Sequence, residues 1–363
     1  MAGPPEPRTA RVFIETGTDA AAALDRLLEH SGLIERVVAA AETARVARAE
    51  LRIAIKPNLM AASAGGSADR TDPALVERLV AALAEAGFGA VAVVESAVKG
   101  LPPVAEVARA AGYSGSGYRL VDLSEERVPF DYGGVLGAGV AGRSWRDAAF
   151  RISFGKAKTQ WQCMFTGALA NLYGCLPDPD KLRAYHGTGH EFQECCVLLA
   201  DRLPVHFGLV DAWVGGDGRR SHAHPRRARE TSTLLAGDDL LALDWVLGEK
   251  MGVDPGLSFV LQEALLRWGR VQVVRRGNTT AWRPWDNVRP GKAATANLLE
   301  PALRTPAARG AMRALGPRGR RLAAVPLAPN APSRIPATSA NTGNSRPTAT
   351  STSSSTCSTT LSP

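Results

Sequence analysis

The sequence has little of what would place it quickly in several large classes. It holds five cysteines (Cys163, Cys175, Cys195, Cys196 and Cys357), and no two of them form a CxxC pair. Zinc ribbons and ferredoxin-type clusters depend on such spacing, so the chain encodes no iron–sulfur cluster motif of its own. The thiols read instead as buried, inert groups of a reducing compartment. No run of about 18 apolar residues occurs, which argues against a membrane-spanning helix and a membrane partner. The opening MAGPPEPRTARVFIE lacks the apolar stretch of a secretory signal, and the expected location is the cytoplasm.

Negative charge is missing from one region altogether. Residues 301–363 contain eight arginines and no lysine, aspartate or glutamate. The net charge of +8 therefore sits entirely there, and the first 300 residues balance 35 basic against 35 acidic side chains. A basic tail attracts polyanions without sequence preference. It does not turn the rest of the chain into a nucleic-acid reader, so no specific nucleic-acid partner is expected. From Leu322 the composition shifts to Pro, Ala, Asn, Ser and Thr. Such a segment buries too little apolar area to offset its ordering entropy. The expected organisation is one α/β domain over residues 1–321 and a disordered low-complexity tail over 322–363.

What is present alternates between strand-like and helix-like patterns. Strand candidates are Arg11–Glu15, Leu51–Ile55, Ala90–Val94, Arg119–Leu123, Ala149–Phe154 and Phe207–Asp211. Asp19–His30 carries helical periodicity through Ala23, Leu24, Leu27 and Leu28. Thr71-Asp72-Pro73 is a helix start signal: a capping side chain, then proline where its missing N–H costs nothing. Leu75, Leu79 and Leu83 continue it as one apolar face that ends at Gly87. A further helix, Leu240–Met251, is entered from Gly237-Asp238-Asp239. Strand, helix, strand in this order predicts βαβ units, hence an α/β fold with a mostly parallel sheet and flanking helices.

In open parallel sheets ligands gather beyond the carboxyl ends of the strands. The residues expected there are Lys56 and Asn58, then Glu95 and Ser96, then Lys156, Lys158 and Thr159, and last Asp211. Cations and amides converging at that edge suit a small anionic metabolite. Asp211 and Asp217, with Gly215-Gly216 between, offer oxygen ligands to a divalent metal, an ordinary turn being the alternative. The stretch Thr166–His186, TGALANLYGCLPDPDKLRAYH, concentrates groups with acid, base and ligand capacity. From it Thr166, Gly167, Asn171, Tyr173 and Lys181 are expected to bind substrate. His186 and Tyr185, with Lys156, are the catalytic candidates, His186 first because imidazole titrates near neutrality. The run GGVLGAGVAG from Gly133 to Gly142 imitates a dinucleotide loop but lacks the required preceding strand, and reads as a turn or flexible lid. His222 and His224 lie in a polar, arginine-rich loop that is the simpler account of them.

These motifs have a collinear counterpart. The run from Thr166 to Gly174, with IKPNL at Ile55–Leu59, TDPALV at Thr71–Val76, VDAWVGGDG at Val210–Gly218 and LLAGDDLLALDWVLGEKMGVDP at Leu234–Pro255, resembles the family known as domain of unknown function 362. The resemblance spans roughly residues 10–256 and implies architecture and site positions rather than a reaction. Members often carry lysine where Ala170 stands, and histidine near Thr159-Gln160. Some relatives contain ferredoxin cysteine motifs, so redox chemistry in this chain would need a separate redox partner or cofactor. Three functions remain open. The first is an enzyme on a small anionic metabolite, by isomerisation, proton abstraction beside a carbonyl, or electron transfer. The second is a noncatalytic protein holding a metabolite or metal, and the third is polyanion binding through the tail.

Overall fold

A computed structural model describes residues 8–59, 68–160, 163–185, 191–218, 226–286 and 357–360. The first part of the chain runs β1 (Arg8–Thr16), α1 (Ala20–Ser31), α2 (Leu33–Ala44), β2 (Ile53–Pro57), α3 (Pro73–Glu85), β3 (Val91–Glu95), α4 (Val104–Ala111) and β4 (Arg119–Asp122). A hairpin of β5 (Arg127–Gly133) and β6 (Gly137–Gly142) follows, then α5 (Arg143–Arg146), β7 (Phe150–Gln160), β8 (Met164–Thr166), α6 (Ala168–Asn171) and α7 (Lys181–Ala184). The remainder is α8 (Glu191–Arg202), β9 (Phe207–Asp217), β10 (Arg227–Glu230), β11 (Thr233–Gly237), α9 (Leu240–Lys250), α10 (Phe259–Trp268), β12 (Val271–Gly277) and β13 (Cys357–Thr360).

The helix starts follow the sequence signals. Asp19, Asp72 and Asp239 each cap a helix by accepting from a backbone N–H, those of Ala22, Ala74 and Ala242. Pro73 stands in the first turn of α3, where its ring pre-sets φ. Gly32 closes α1 in the left-handed region at φ 67°, a conformation that suits a residue without Cβ.

The main sheet has the order β13-β12-β1-β11-β9-β7-β2-β3-β4, with β10 added beside β9 and β8 beside β7. Its centre is a parallel block. β2 pairs with β3 and β7, β3 with β4, and β7 with β9, all parallel. β11 is the antiparallel strand between β9 and β1. Within the block, β2 feeds β3 and β4 on one side, and the chain then returns to place β7 and β9 on the other. The order therefore reverses between β2 and β7, and their carboxyl ends diverge there.

Alternation along the central strands builds two cores, one on each face. Ile53, Ile55, Val91, Val93, Ile152 and Phe154 join Leu24, Leu27, Leu75, Leu79 and Leu83 on one side. Ala54, Ala92 and Val94 join Leu169, Leu172, Leu199, Leu243 and Leu247 on the other. A sheet covered on both faces leaves its polar chemistry to the strand ends. The tail from 322 lies outside the described residues except for Cys357–Thr360, which pair antiparallel with β12. The run from Gly133 to Gly142, expected as a turn or flexible lid with no strand before it, is the turn and second strand of a hairpin whose first strand, β5, directly precedes it. In the motif Val210–Gly218, Gly215-Gly216 lie within strand β9 rather than in a turn.

Leu79 has no exposed surface and stands in the middle of the α3 stripe. Leu79→Ala is expected to lower unfolding free energy by about 2–5 kcal/mol, measured by chemical denaturation with an unchanged denaturant slope.

Candidate functional site

The carboxyl ends of β2 and β7, where the strand order reverses, carry a continuous polar network. The Lys56 ammonium donates to Glu95 Oε2 at 2.9 Å and to the Pro57 carbonyl at 2.6 Å, and lies 3.5 Å from Asn171 Oδ1. Asn58 donates through Nδ2 to the same Asn171 oxygen at 3.0 Å. Its own Oδ1 accepts from Lys158 at 2.6 Å, and Lys158 also donates to the Asp69 carbonyl at 2.7 Å. Asn171 Nδ2 donates to the Lys56 carbonyl and to Ser153 Oγ, at 2.8 and 3.1 Å. Lys158, Asn58, Asn171, Lys56 and Glu95 are thus one chain of contacts, every member buried. The network brings together residues more than a hundred positions apart in sequence.

A second cation pair lies beside it. Lys156 donates to Asp211 Oδ2 at 2.7 Å, and both side chains are essentially without exposed surface. Phe154 and Leu209 belong to the core that includes α3, and the strand period carries Lys156 and Asp211 to that same face. There Asp211 also accepts the N–H of Asp72, at the start of α3, and that of Trp213, each at 3.0 Å. Asp211 is fully engaged.

The third cation is Lys181. Its ammonium donates to Ser96 Oγ and, at 3.0 Å, to the Leu176 carbonyl. Among the described residues no carboxylate contacts it, and burial holds it down at about 8. Burial disfavours the charged form of an amine, so Lys181 exchanges its proton much nearer neutrality than an exposed lysine. Ser96 connects this group to the network, since its N–H donates to Glu95 Oε1 at 3.0 Å.

The segment after β8 is fitted against the sheet by glycines. A Cβ on Gly167 would lie 2.2 Å from Asp244 Oδ1, and one on Gly174 would lie 2.4 Å from both Glu95 Oε1 and Lys56 Cε. Asp244, on α9, accepts the N–H groups of Ala168 and Leu169 at 2.7 and 2.9 Å. Its carboxyl is fully buried, which pushes it up to about 7 against the pull of those two amides.

Other expected site residues stand elsewhere. Thr166 is in β8, and Gly167 serves the close approach just described. Tyr173 donates its hydroxyl to the Lys181 carbonyl at 2.6 Å, and burial pushes it far above the usual phenol range. It braces the segment. Tyr185 is half-buried and lines a cleft apart from the lysines. His186, His222 and His224 lie outside the described residues.

Asp217 does not join Asp211. Its Oδ2 accepts from Arg229 Nε at 2.8 Å and Arg227 at 3.3 Å, and its Oδ1 from the Asp286 N–H at 2.9 Å. Both carboxylates are therefore neutralised by their own cations. Among the described residues no group of three or more His, Cys, Asp or Glu has metal-binding geometry. Cys163, Cys175, Cys195 and Cys196 are free and buried, and desolvation raises every one of these thiols.

Two predictions follow from these buried charges. Removing one partner of a buried pair strands the other. Lys156→Met should cost about 3–5 kcal/mol, and adding Asp211→Asn, which removes the stranded charge but keeps an acceptor for a backbone N–H, should recover part of that loss in a denaturation double-mutant cycle. Asp244 has a folded-state pKa near 7, against an unfolded value of about 3.9. The folded state then binds more protons between those values, so its contribution to stability is full below the lower one and is lost as pH rises toward 7. Asp244→Asn should flatten that part of the stability–pH curve.

Comparison with known proteins agrees with this architecture. Over 113 residues the chain is 29% identical to a thylakoid-associated protein of Synechocystis sp., a match covering 30% of this chain and 34% of that protein. The chain thus aligns with about a third of the relative's length. Among the described residues no helix is long and apolar enough to cross a membrane. The model of the family described as domain of unknown function (DUF362) matches residues 53–248. That interval takes in β2 to β9, the reversal in strand order, the lysine network and Asp244, and it covers more than half of the chain: the protein belongs to the DUF362 family.

Proposed function

We propose that the lysine-rich edge between β2 and β7 binds a small anionic metabolite and that the chain acts on it as an enzyme. The observation that carries this reading is the burial of four ammonium groups, Lys56, Lys156, Lys158 and Lys181, at one end of one sheet. Burying a cation is costly unless it is paired or put to use. Glu95 and Asp211 compensate Lys56 and Lys156, whereas Lys181 has, among the described residues, a hydroxyl and a carbonyl as its partners. An anion beside these groups would gain from a low-dielectric setting that is already ordered.

Within this reading Lys181 is the acid–base group, because a lysine near 8 is mostly charged at pH 7 yet keeps roughly a tenth of its molecules neutral and able to act as a base. Neutral Lys181 would take a proton from a carbon beside a carbonyl, and Lys56 and Lys158 would balance the charge that develops. Asn58 and Asn171 would hold the two ammoniums in place. Lys156 is a structural partner of Asp211 in this scheme, and Tyr185 belongs to another surface.

A noncatalytic reading has its own support. Lys56 and Lys158 are held by several internal partners each, as in a site built to retain rather than transform. The two readings separate in heavy water. Wild type would be incubated with a panel of 2-oxo, 2-hydroxy and phosphorylated carboxylic acids, and deuterium uptake followed by proton NMR, with binding measured by calorimetry. Uptake that Lys181→Met abolishes while binding persists is the expected result. Binding without uptake at any pH favours retention alone. Absence of binding by the whole panel, or binding that Lys158→Met leaves unchanged, removes the anion site.

A further inference from the structure

A second recess lies beyond the lysine network. The β5–β6 hairpin and the segment from Leu176 to Tyr185 enclose a cleft of about 100 Å³ lined by Arg127, Tyr132, Val140, Leu176, Asp178 and Tyr185. The hairpin is fixed in position by α8. The Val135 N–H donates to Glu194 Oε1 at 3.2 Å, and Gly134, at φ 51°, comes so close to Glu194 and Leu198 that a Cβ would lie 2.7–2.8 Å from them. The cleft is therefore part of the folded structure and not a gap under a loose strand pair.

Its lining carries both signs of charge, on an exposed Arg127 and a half-buried Asp178. Arg127 and Asp178 border the same small volume, yet neither makes an ion pair among the described residues, and Asp178 is occupied only by the Asp180 N–H at 2.9 Å. Opposite charges left apart across a recess match a ligand that carries both signs. Tyr132 lines the cleft too, and its hydroxyl, closed off from solvent, has no hydrogen-bond partner among the described residues. The volume sets the size. An apolar cavity of about 150 Å³ takes benzene, so this one takes a molecule smaller than that, with room for its end to project.

We propose that this cleft is a binding site for a small zwitterion of the α-amino acid class. Its carboxylate pairs with Arg127, its ammonium with Asp178, and its short side chain rests on Val140 and Leu176. The site does not depend on the anion site above. It adjoins that site through Leu176, whose carbonyl accepts from both Lys181 and Ser96.

Calorimetric titration of the full-length protein with L-alanine and 2-aminobutyrate tests the proposal, with isobutyrate and isobutylamine as probes that each keep one charge. The zwitterions are expected to bind, and each single-charge probe to bind about tenfold more weakly or worse. Arg127→Ala and Asp178→Asn should each weaken zwitterion binding by about tenfold or more. The single-charge probes need no variant, so a misfolded variant does not spoil the test. Equal binding of isobutyrate or isobutylamine would overturn the assignment. So would the absence of any heat with the zwitterions at about 10 mM, or binding indifferent to both variants.

Discussion

The carboxylate of Asp244 holds the site together. It sits in the core on α9 and accepts two successive amides at the start of α6, and it leaves no space for a side chain on Gly167. Those contacts fix the backbone from which Asn171 reaches the Lys56 carbonyl, Ser153 and Asn58. Asn171 in turn meets Lys56 directly and Lys158 through Asn58, so a buried acid that clamps the backbone before Asn171 also helps to place those two lysines. Two amides favour the ionised carboxyl and burial favours the neutral one, and the balance falls near neutral pH.

Much of this frame is legible in the sequence, because the signals that specify it are local. Asp72 before Pro73, the Leu75–Leu79–Leu83 stripe and the buried run ending at Lys56 each act within a few residues, and each is found where those patterns place it. The strand ends also announce the lysines, since a charged residue closing an apolar run marks the edge of a parallel sheet. The resemblance to the family known as domain of unknown function 362 points to the same segments, and the family match covers them.

Where the reading falls short, long-range packing decides. Val214-Gly215-Gly216-Asp217 has the composition of a loop, yet it continues β9. The glycines are there for space: a Cβ on Gly215 would lie 2.2 Å from the Trp285 ring, and one on Gly216 would lie 2.6 Å from the Ala68 carbonyl. Both neighbours are remote in sequence, so no local window reports them. The partners of Asp217, Arg229 twelve positions on and Asp286 sixty-nine positions on, likewise fall outside a short window. The contact of Lys181 with Ser96 spans 85 positions. The hairpin offers a partial signal: Gly133, Gly134 and Gly137 all take positive φ, which glycine supplies without steric cost, but what the strands pack against is not written in that run.

The sheet also acts as a partition. Its two faces feed separate hydrophobic clusters, so a packing defect on one side meets strand backbone before it meets the other side. Changes more than about 7–10 Å apart with no shared neighbours add independently, and Leu79 on one face and Leu199 on the other are in that position. The rim breaks the insulation. Asp211 touches the start of α3 while Lys158, Asn58 and Asn171 run on toward α6, so an occupant of that edge would be felt by both halves of the interior at once.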